Sequence, residues 1–317
     1  MPIDFFAQQR YNRRVTILLI AGFILILGLI GLGLDIGYAG WAVPWFTFGA
    51  MAYGGLHGWV SLALGDKMVL ASVGARPPDP SNLKEKQFMN IAQEMAIASG
   101  LPAPKLFIIQ EASPNAFATG RDAAHASVAV TTGLLETMDR EELQGVIAHE
   151  IGHIRNRDIL TMTVVAALLG AIVLLADMGR RMVFYGGLGR SRRRSSGGGE
   201  AIAMGVVLLL LILSPLIARL MAMAVSRSRE YMADAASVEF TRNPTALANA
   251  LEKIAGHYDK VVDKASRGTA HLFIADPMNL AVNKKEGRWA AWMGTHPPIK
   301  TRIHILRAMA GAGSVRT

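Results

Sequence analysis

Two histidines and a glutamate, close together in one short segment, are the residues of this chain best suited to chemistry. The segment His149–His153 reads H-E-I-G-H. Positions i and i+4 of a helix lie on one face, so both imidazoles can reach the same metal ion. Glu150 projects beside them and can take a proton from a water that the metal activates. The motif lies between apolar residues, unlike a solvated surface helix, and therefore predicts a hydrolytic site with one zinc ion per chain.

A third metal ligand has to come from elsewhere in the chain, because a catalytic zinc commonly has three protein ligands and one open position. One class of such enzymes needs a histidine where this chain has Ile159, and that class is excluded. A downstream histidine or glutamate remains possible. Glu230 offers a carboxylate ligand, and Asp234, one helical turn later, could accept the N–H of a ligating histidine. An antiparallel hairpin of the two intervening apolar blocks would return Glu230 to the histidines.

The composition indicates a membrane protein. The chain has 317 residues, of which 51% are hydrophobic and 18% charged, whereas about 25% are charged in a typical soluble domain. It has no cysteine, which excludes disulfides and Cys-ligated metals. The net charge of +9 comes largely from arginines beside apolar blocks, so we expect contact with a lipid bilayer. There is no motif for nucleic acid and no phosphate-binding loop for a nucleotide.

Four apolar blocks set the predicted domains. Val15–Leu34 and Trp41–Leu64 are long enough to cross a hydrocarbon core of about 30 Å. We therefore predict a cytoplasmic N-terminus at 1–14 and two transmembrane helices within 15–64. The other two blocks predict a hydrophobic hairpin at 159–225, with a flexible Arg/Gly/Ser loop at 186–199. The catalytic domain is expected in two parts, 65–158 with the zinc helix and 226–317.

The segments outside the membrane predict an α+β fold, mainly α with a small sheet. Asp139 and Glu142 form a capping box that starts the zinc helix, expected to end near Arg157. His57, inside the second apolar block, has no acidic partner there and is interpreted as a hydrogen-bonded structural histidine. The other predicted elements are a helix from Asn82 or Ser81 to about Ser99, strands at Lys105–Gln110, Asn115–Thr119 and Ser127–Thr132, and helices at Pro244–Val262 and Pro298–Ala310.

Together these features resemble the HtpX family of bacterial membrane zinc metallopeptidases, HExxH enzymes distantly related to the type 1 CAAX prenyl proteases. The resemblance covers nearly the whole chain and includes the two N-terminal spans and the hairpin. It implies zinc on His149, His153 and Glu230, with Glu150 as the base, in a core like that of thermolysin-type enzymes. The matching motifs are Asn115–Gly120, His149–His153 with Asp158, Ser228–Asp234, His271–Phe273 and Thr295–Pro298.

The same likeness implies two further sites. Asn115, Ala116 and Phe117 match an edge strand that pairs with an extended substrate, a role that suits unpaired strand N–H and C=O groups. His296, before two prolines, matches a histidine that stabilises the tetrahedral oxyanion. The alternative for His296 is a structural histidine that caps the last helix. Arg302 is a further candidate to support this step.

The function that follows is a membrane endopeptidase of the bacterial inner membrane. The resemblance implies multiple membrane passes, an active site facing the cytoplasm, and cleavage of misfolded or damaged membrane proteins in quality control and stress response. An intramembrane protease is excluded by the charged residues around the HExxH motif, among them Asp139, Arg155 and Asp158. The alternative from another class is a zinc-binding membrane scaffold without proteolytic activity. A zinc transporter is disfavoured because the spans have almost no ionisable residues.

The predicted topology leaves one question open. Arg10, Arg13 and Arg14 precede the first span, which places the N-terminus in the cytoplasm by the positive-inside rule. Two spans return the chain there, so the zinc helix is cytoplasmic. A fully crossing hairpin would put the arginines of 186–199 outside, against the same rule. The hairpin therefore either crosses fully or embeds from the cytoplasmic side, and both choices keep the zinc site cytoplasmic.

Overall fold

The structure, a computed structural model, describes residues 5–35, 43–185, 205, 227–256, 272–274 and 297–314. Within these residues it is mainly helical with one three-stranded sheet. The predicted α+β class is thereby confirmed. Nearly all of the fourth apolar block, the 186–199 loop, His271 and His296 lie outside the described residues.

Two long helices, α1 (Phe5–Leu34) and α2 (Trp45–Ser72), pack against each other at the start of the chain. Asp35 closes their connection by accepting the backbone N–H groups of Phe46 and Thr47. Among the described helices, one stretch, Tyr11–Leu32 of α1, is long and apolar enough to cross a membrane. A second crossing by α2, which contains several glycines and ends with Asp66 and Lys67 in its last turns, stays a prediction.

The sheet contains the three predicted strands, with ends that differ by about one residue: β1 (Lys105–Ile109), β2 (Ala116–Gly120) and β3 (Ala126–Thr131). Its order is β1-β3-β2, with β1 parallel and β2 antiparallel to β3. β2 is therefore at the edge of this sheet. Gly120 turns the chain toward β3 at φ 142°, where a Cβ would lie 2.5 Å from the carbonyl oxygen of His125, so only glycine fits.

Two helices of the catalytic part begin where the sequence predicts, and a short helix between them is not predicted. α3 (Leu83–Ser99) is capped by the side chain of Asn82 and ends at Gly100 in the left-handed region. A short helix, α4 (Thr132–Thr137), follows β3. α5 (Arg140–Arg155) carries the HExxH motif and starts with the predicted capping box of Asp139 and Glu142. Almost every side chain of α5 from Leu143 to Ile154 is buried, so the motif lies in the core.

α6 (Ile159–Tyr185) is 27 residues long and extends beyond the predicted apolar block, which ends at Ala176. An apolar run measures burial and not helix length, since charged residues such as Arg180 do not break a helix. The first half of α6 packs against α1, where Phe23 and Leu27 meet a row of its apolar side chains. His57 of α2 lies beside this contact, with its Nε2 3.5 Å from the carbonyl oxygen of Ala167, as expected of a structural histidine.

Three more helices complete the described fold: α7 (Arg227–Thr241), α8 (Pro244–Gly256) and α9 (Ile299–Ser314). α5 packs against α7 and α8 on one side and against the sheet on the other. This layering places the HExxH helix between the edge strand β2 and the helix that carries Glu230.

Candidate active site

The close approach of α5 and α7 brings Glu230 to the two histidines. Gly152, inside the motif, is the residue that permits it. A Cβ on Gly152 would lie 3.1 Å from both the Cα and the carbonyl oxygen of Ala233, and 3.0 Å from the Cβ of Ala236. Because α7 rests directly on the glycine, its first turn reaches the HExxH face.

The three predicted ligand residues form a compact, buried group. His149 Nε2 lies 3.2 Å from His153 Nε2, and Glu230 oxygens lie 3.7 Å and 3.8 Å from these two nitrogens. Atoms bound about 2.0–2.1 Å from one tetrahedral ion lie about 3.3–3.4 Å apart. The spacing therefore fits one zinc-sized ion. Within the described part of the chain, this is the one cluster of His and carboxylate side chains with such geometry.

Each histidine is oriented by a carboxylate on its other ring nitrogen. His149 Nδ1 lies 2.9 Å from Asp234 Oδ1, and His153 Nδ1 lies 3.1 Å from Asp158 Oδ2. An Nδ1–H that donates to a carboxylate leaves the Nε2 lone pair free for a metal. The sequence predicts this role for Asp234 but assigns none to Asp158. Asp158 lies just past the end of the zinc helix, and that position is the only hint of its role in the sequence. In the structure Arg157, at φ 56°, turns the chain back so that Asp158 reaches His153.

The electrostatics of the site favour a positive charge between the ligands. Burial alone lowers the pKa of His153, but the carboxylates of Asp158, Glu230 and Glu150 outweigh it and raise the pKa to about 9. At His149, burial and the guanidinium of Arg302 lower the pKa and favour the neutral, metal-binding ring. The carboxylates that stabilise a proton on His153 would also stabilise a divalent cation, which would displace that proton on binding.

Glu150 has the properties of a general base. Its side chain is buried, and its Oε1 has no hydrogen-bond partner among the described residues. Burial raises the pKa of Glu150 to about 7; Glu230 adds to the rise, while His153, Arg302 and the backbone N–H of Ala118 oppose it. A carboxyl with a pKa near neutrality can both accept and return a proton.

Arg302 connects the metal ligands to the helix α9. Its guanidinium is fully buried and bonds Asp234 twice, through Nε at 2.9 Å and Nη2 at 2.6 Å. Its Nη1 lies 3.2 Å from Glu230 Oε2. The sequence names Arg302 only as a support for His296. In the structure it contacts two carboxylates of the site directly. Local sequence patterns could not predict these contacts, because Arg302 lies far from both residues in the sequence.

The predicted substrate strand lies beside the metal group. Ala116 and Phe117 belong to β2, and Asn115 precedes it, with its carbonyl accepting from the N–H of Thr131 on β3. The ring of Phe117 packs edge-on against Phe273, with centroids 5.1 Å apart. Ala118 faces Glu150, so the outer edge of β2 runs along the site.

Comparisons with known proteins agree with this site. Residues 82–310 match peptidase family M48. The protease HtpX homologue of Thermoanaerobacter pseudethanolicus is 46% identical over 95% of this chain and 96% of its own length. That of Ligilactobacillus salivarius is 39% identical over 96% and 99%. The crystal structure of S. mikatae Ste24p aligns with 17% identity and a TM-score of 0.49 over 95% of this chain and 66% of that chain, a likeness too distant to carry an argument.

The match to the protease relatives runs almost end to end and includes the HExxH motif and Glu230, both within the span of the family. A buried group of two histidines and a glutamate beside a second glutamate can carry out metal-dependent peptide hydrolysis. On sequence and on the geometry of its site, this chain belongs to peptidase family M48, as a membrane metalloprotease of the HtpX type.

Proposed function

We propose that this metalloprotease uses zinc and acts as an endopeptidase of protein quality control, cleaving misfolded or damaged membrane proteins at the cytoplasmic face of the membrane. His149, His153 and Glu230 are the proposed ligands and Glu150 the base. The observation that carries the proposal is the buried group of three potential ligand atoms, all within 4.8 Å of one another, beside a carboxyl whose pKa is raised to about 7. Two nitrogens and one oxygen are a donor set typical of catalytic zinc.

Zinc held by these residues would supply Lewis-acid polarisation of the scissile carbonyl and a water of lowered pKa. Glu150 is placed to accept the proton of the attacking water and to deliver it to the leaving amine. Asp234 and Asp158 hold the two imidazoles with Nε2 facing inward. The oxyanion role of His296, which lies outside the described residues, stays a prediction.

The proposed orientation is supported by contacts at the start of α1. Thr16 Oγ1 lies 2.9 Å from Thr161 Oγ1, at the beginning of α6. α6 follows the zinc helix directly, so the metal group lies at the same end of α1 as its arginines. By the positive-inside rule that end faces the cytoplasm.

Membrane crossing by both α1 and α2 is supported by their outer surfaces. Leu18 of α1 and Trp45 and Trp59 of α2 are each more than 60% exposed. So many exposed apolar side chains are favourable in contact with lipid but unfavourable in contact with water. Substrates that share the bilayer would reach the site from its membrane end, which is why we propose membrane proteins as the substrates.

The test is zinc content and casein cleavage by the purified full-length protein. We expect about one zinc per chain in the wild type. Glu150→Gln should keep zinc and lose cleavage, whereas His153→Ala and Glu230→Ala should lose both. His125→Ala is the control, because His125 is exposed and pairs with Asp122 away from the site. Cleavage by Glu150→Gln at the wild-type rate would contradict the mechanism; zinc binding without cleavage by the wild type would favour the scaffold.

The topology is testable with single cysteines, since the chain has none of its own. Ser81→Cys, before α3, should be protected from a membrane-impermeant thiol reagent on intact spheroplasts. Its labelling would refute the cytoplasmic site. Labelling of Ser196→Cys, in the 186–199 loop, would indicate a hairpin that crosses fully, and protection would indicate one that embeds.

A further inference from the structure

The outer edge of β2 is already occupied by the chain itself. Backbone groups alternate in direction along a strand. Because the Asn115 carbonyl faces β3, those of Ala116 and Ala118 face outward, away from the sheet. The outward carbonyl of Ala116 accepts from the N–H of Ile274 at 2.9 Å. A substrate strand that adds to this edge needs the same carbonyl.

Ile274 is bound through both of its backbone groups. Its N–H reaches β2, and its carbonyl oxygen accepts from Arg302 Nη1 at 3.2 Å. The same Nη1 lies 3.2 Å from Glu230 Oε2. One guanidinium nitrogen thus separates the carbonyl of Ile274 from a proposed metal ligand. A peptide with its N–H on the edge strand and its carbonyl on a buried arginine beside the metal group is held as a bound substrate would be.

The side chains of this segment are buried against the edge strand and the core. Leu272, Phe273 and Ile274 are each 2% exposed or less. Phe273 stacks edge-on against Phe117 of the edge strand, and Ile274 belongs to the same apolar cluster as Ala116 and Ala118. The surroundings of Ile274 are therefore apolar and accommodate a branched aliphatic side chain.

We propose that Leu272–Ile274 is an intramolecular pseudosubstrate, which occupies the Ala116 carbonyl and the Arg302 donor until a protein substrate displaces it. The proposal rests on the proposed function, because it assumes that substrates pair with β2. It also specifies the substrate: the residue whose N–H replaces that of Ile274 carries an apolar, aliphatic side chain. Arg302 is the residue that positions the carbonyl of this substrate residue.

The first test removes the hydrogen bond between Ile274 and β2. Ile274→Pro has no N–H to donate, and one such bond contributes a factor of roughly 2 to 12 to an equilibrium. Since a substrate binds only the fraction of molecules with an open edge, the KM for casein should fall by about that factor, with kcat unchanged. Ile274→Val, which keeps the N–H and a branched side chain, should retain the higher KM. The Ile274→Pro, Glu150→Gln double variant should not cleave.

A second measurement does not depend on the folding of a proline variant. Amide hydrogen exchange of Glu150→Gln is compared with and without saturating unfolded casein, which this variant is expected to bind without cleaving it. We expect peptides that contain Leu272–Ile274 to exchange faster with casein bound, while those of α5 do not. Unchanged or stronger protection of Leu272–Ile274 with casein bound would overturn the proposal, as would a KM that rises in a folded Ile274→Pro protein.

These outcomes are separate from a failure of the proposed function. If the wild type does not cleave casein in a zinc- and Glu150-dependent manner, the function is wrong. If it does, and Leu272–Ile274 stays protected with casein bound, only the pseudosubstrate is wrong and the segment is a fixed part of the core.

Discussion

Replacing Gly152 with alanine tests whether the contact of α5 with α7 sets the geometry of the metal group. The new Cβ would lie 3.0–3.1 Å from atoms of Ala233 and Ala236, and ordinary contact begins at 3.4 Å. α7 must therefore move by about 0.3–0.4 Å, the difference between these distances. Glu230 lies on the same helix, one turn before Ala233, and moves with it.

A shift of this size exceeds the tolerance of a zinc site, in which ligand distances hold within about 0.2 Å. Metal binding would have to pull α7 back against the new side chain. Overpacking of this kind costs about 1–3 kcal/mol, which corresponds to roughly 5- to 150-fold in metal affinity. The metal-free protein should stay folded, because alanine is favoured over glycine within a helix by about 1 kcal/mol.

The assay is zinc affinity by competition with a chelator of known affinity, measured on the full-length protein beside its melting temperature. Gly170→Ala on α6 is the matched control, since a Cβ there meets nothing within 4 Å. We expect it to bind zinc as the wild type does. A Gly152→Ala protein with wild-type zinc affinity and casein cleavage would refute the idea that this contact positions Glu230.

Three further predictions concern the Asp158 carboxylate, the ion pair of Glu85 with Arg76, and removal of the metal. Asp158→Asn should weaken zinc binding about 10- to 100-fold, because it removes the carboxylate on His153 Nδ1; equal affinity in the same competition assay would contradict this. Glu85→Gln should destabilise the protein at pH 7 by about 1–2 kcal/mol, through loss of its pair with the partly exposed Arg76. Hydrogen bonding to Arg76 lowers the pKa of Glu85. The stability difference between wild type and variant should therefore be present above about pH 4.3 and vanish as the pH falls through the lowered pKa of the folded state. A difference in melting temperature that does not change with pH would refute the assignment. Chelation of the metal should lower the melting temperature. Free zinc at 100 times its dissociation constant should raise the free energy of unfolding by about 2.7 kcal/mol. A melting temperature insensitive to zinc would argue against a metal site that exists only in the folded protein.

Local patterns were sufficient to predict much of this protein. The HExxH spacing places His149 and His153 on one helical face whatever surrounds them, because the helical period is a property of the backbone. The capping box fixes the start of that helix at Asp139 for the same reason. The three strands and the α3 helix were likewise predicted to within about one residue at most ends, since apolar runs and turn residues are local signals.

The contacts that complete the site depend on tertiary packing. Arg302 reaches Asp234 only because α9 packs into the core, whereas Asp158 reaches His153 through a local reversal of the chain at Arg157. The length of α6 beyond its apolar block, and the contact of Ile274 with the edge strand, also have no local signal. The sequence alone determined which side chains could bind a metal and do the chemistry. Tertiary structure decided which buried charges orient them and which segment lies on the substrate strand, because such contacts join residues far apart in the chain whose approach is set by packing and not by helical or strand period.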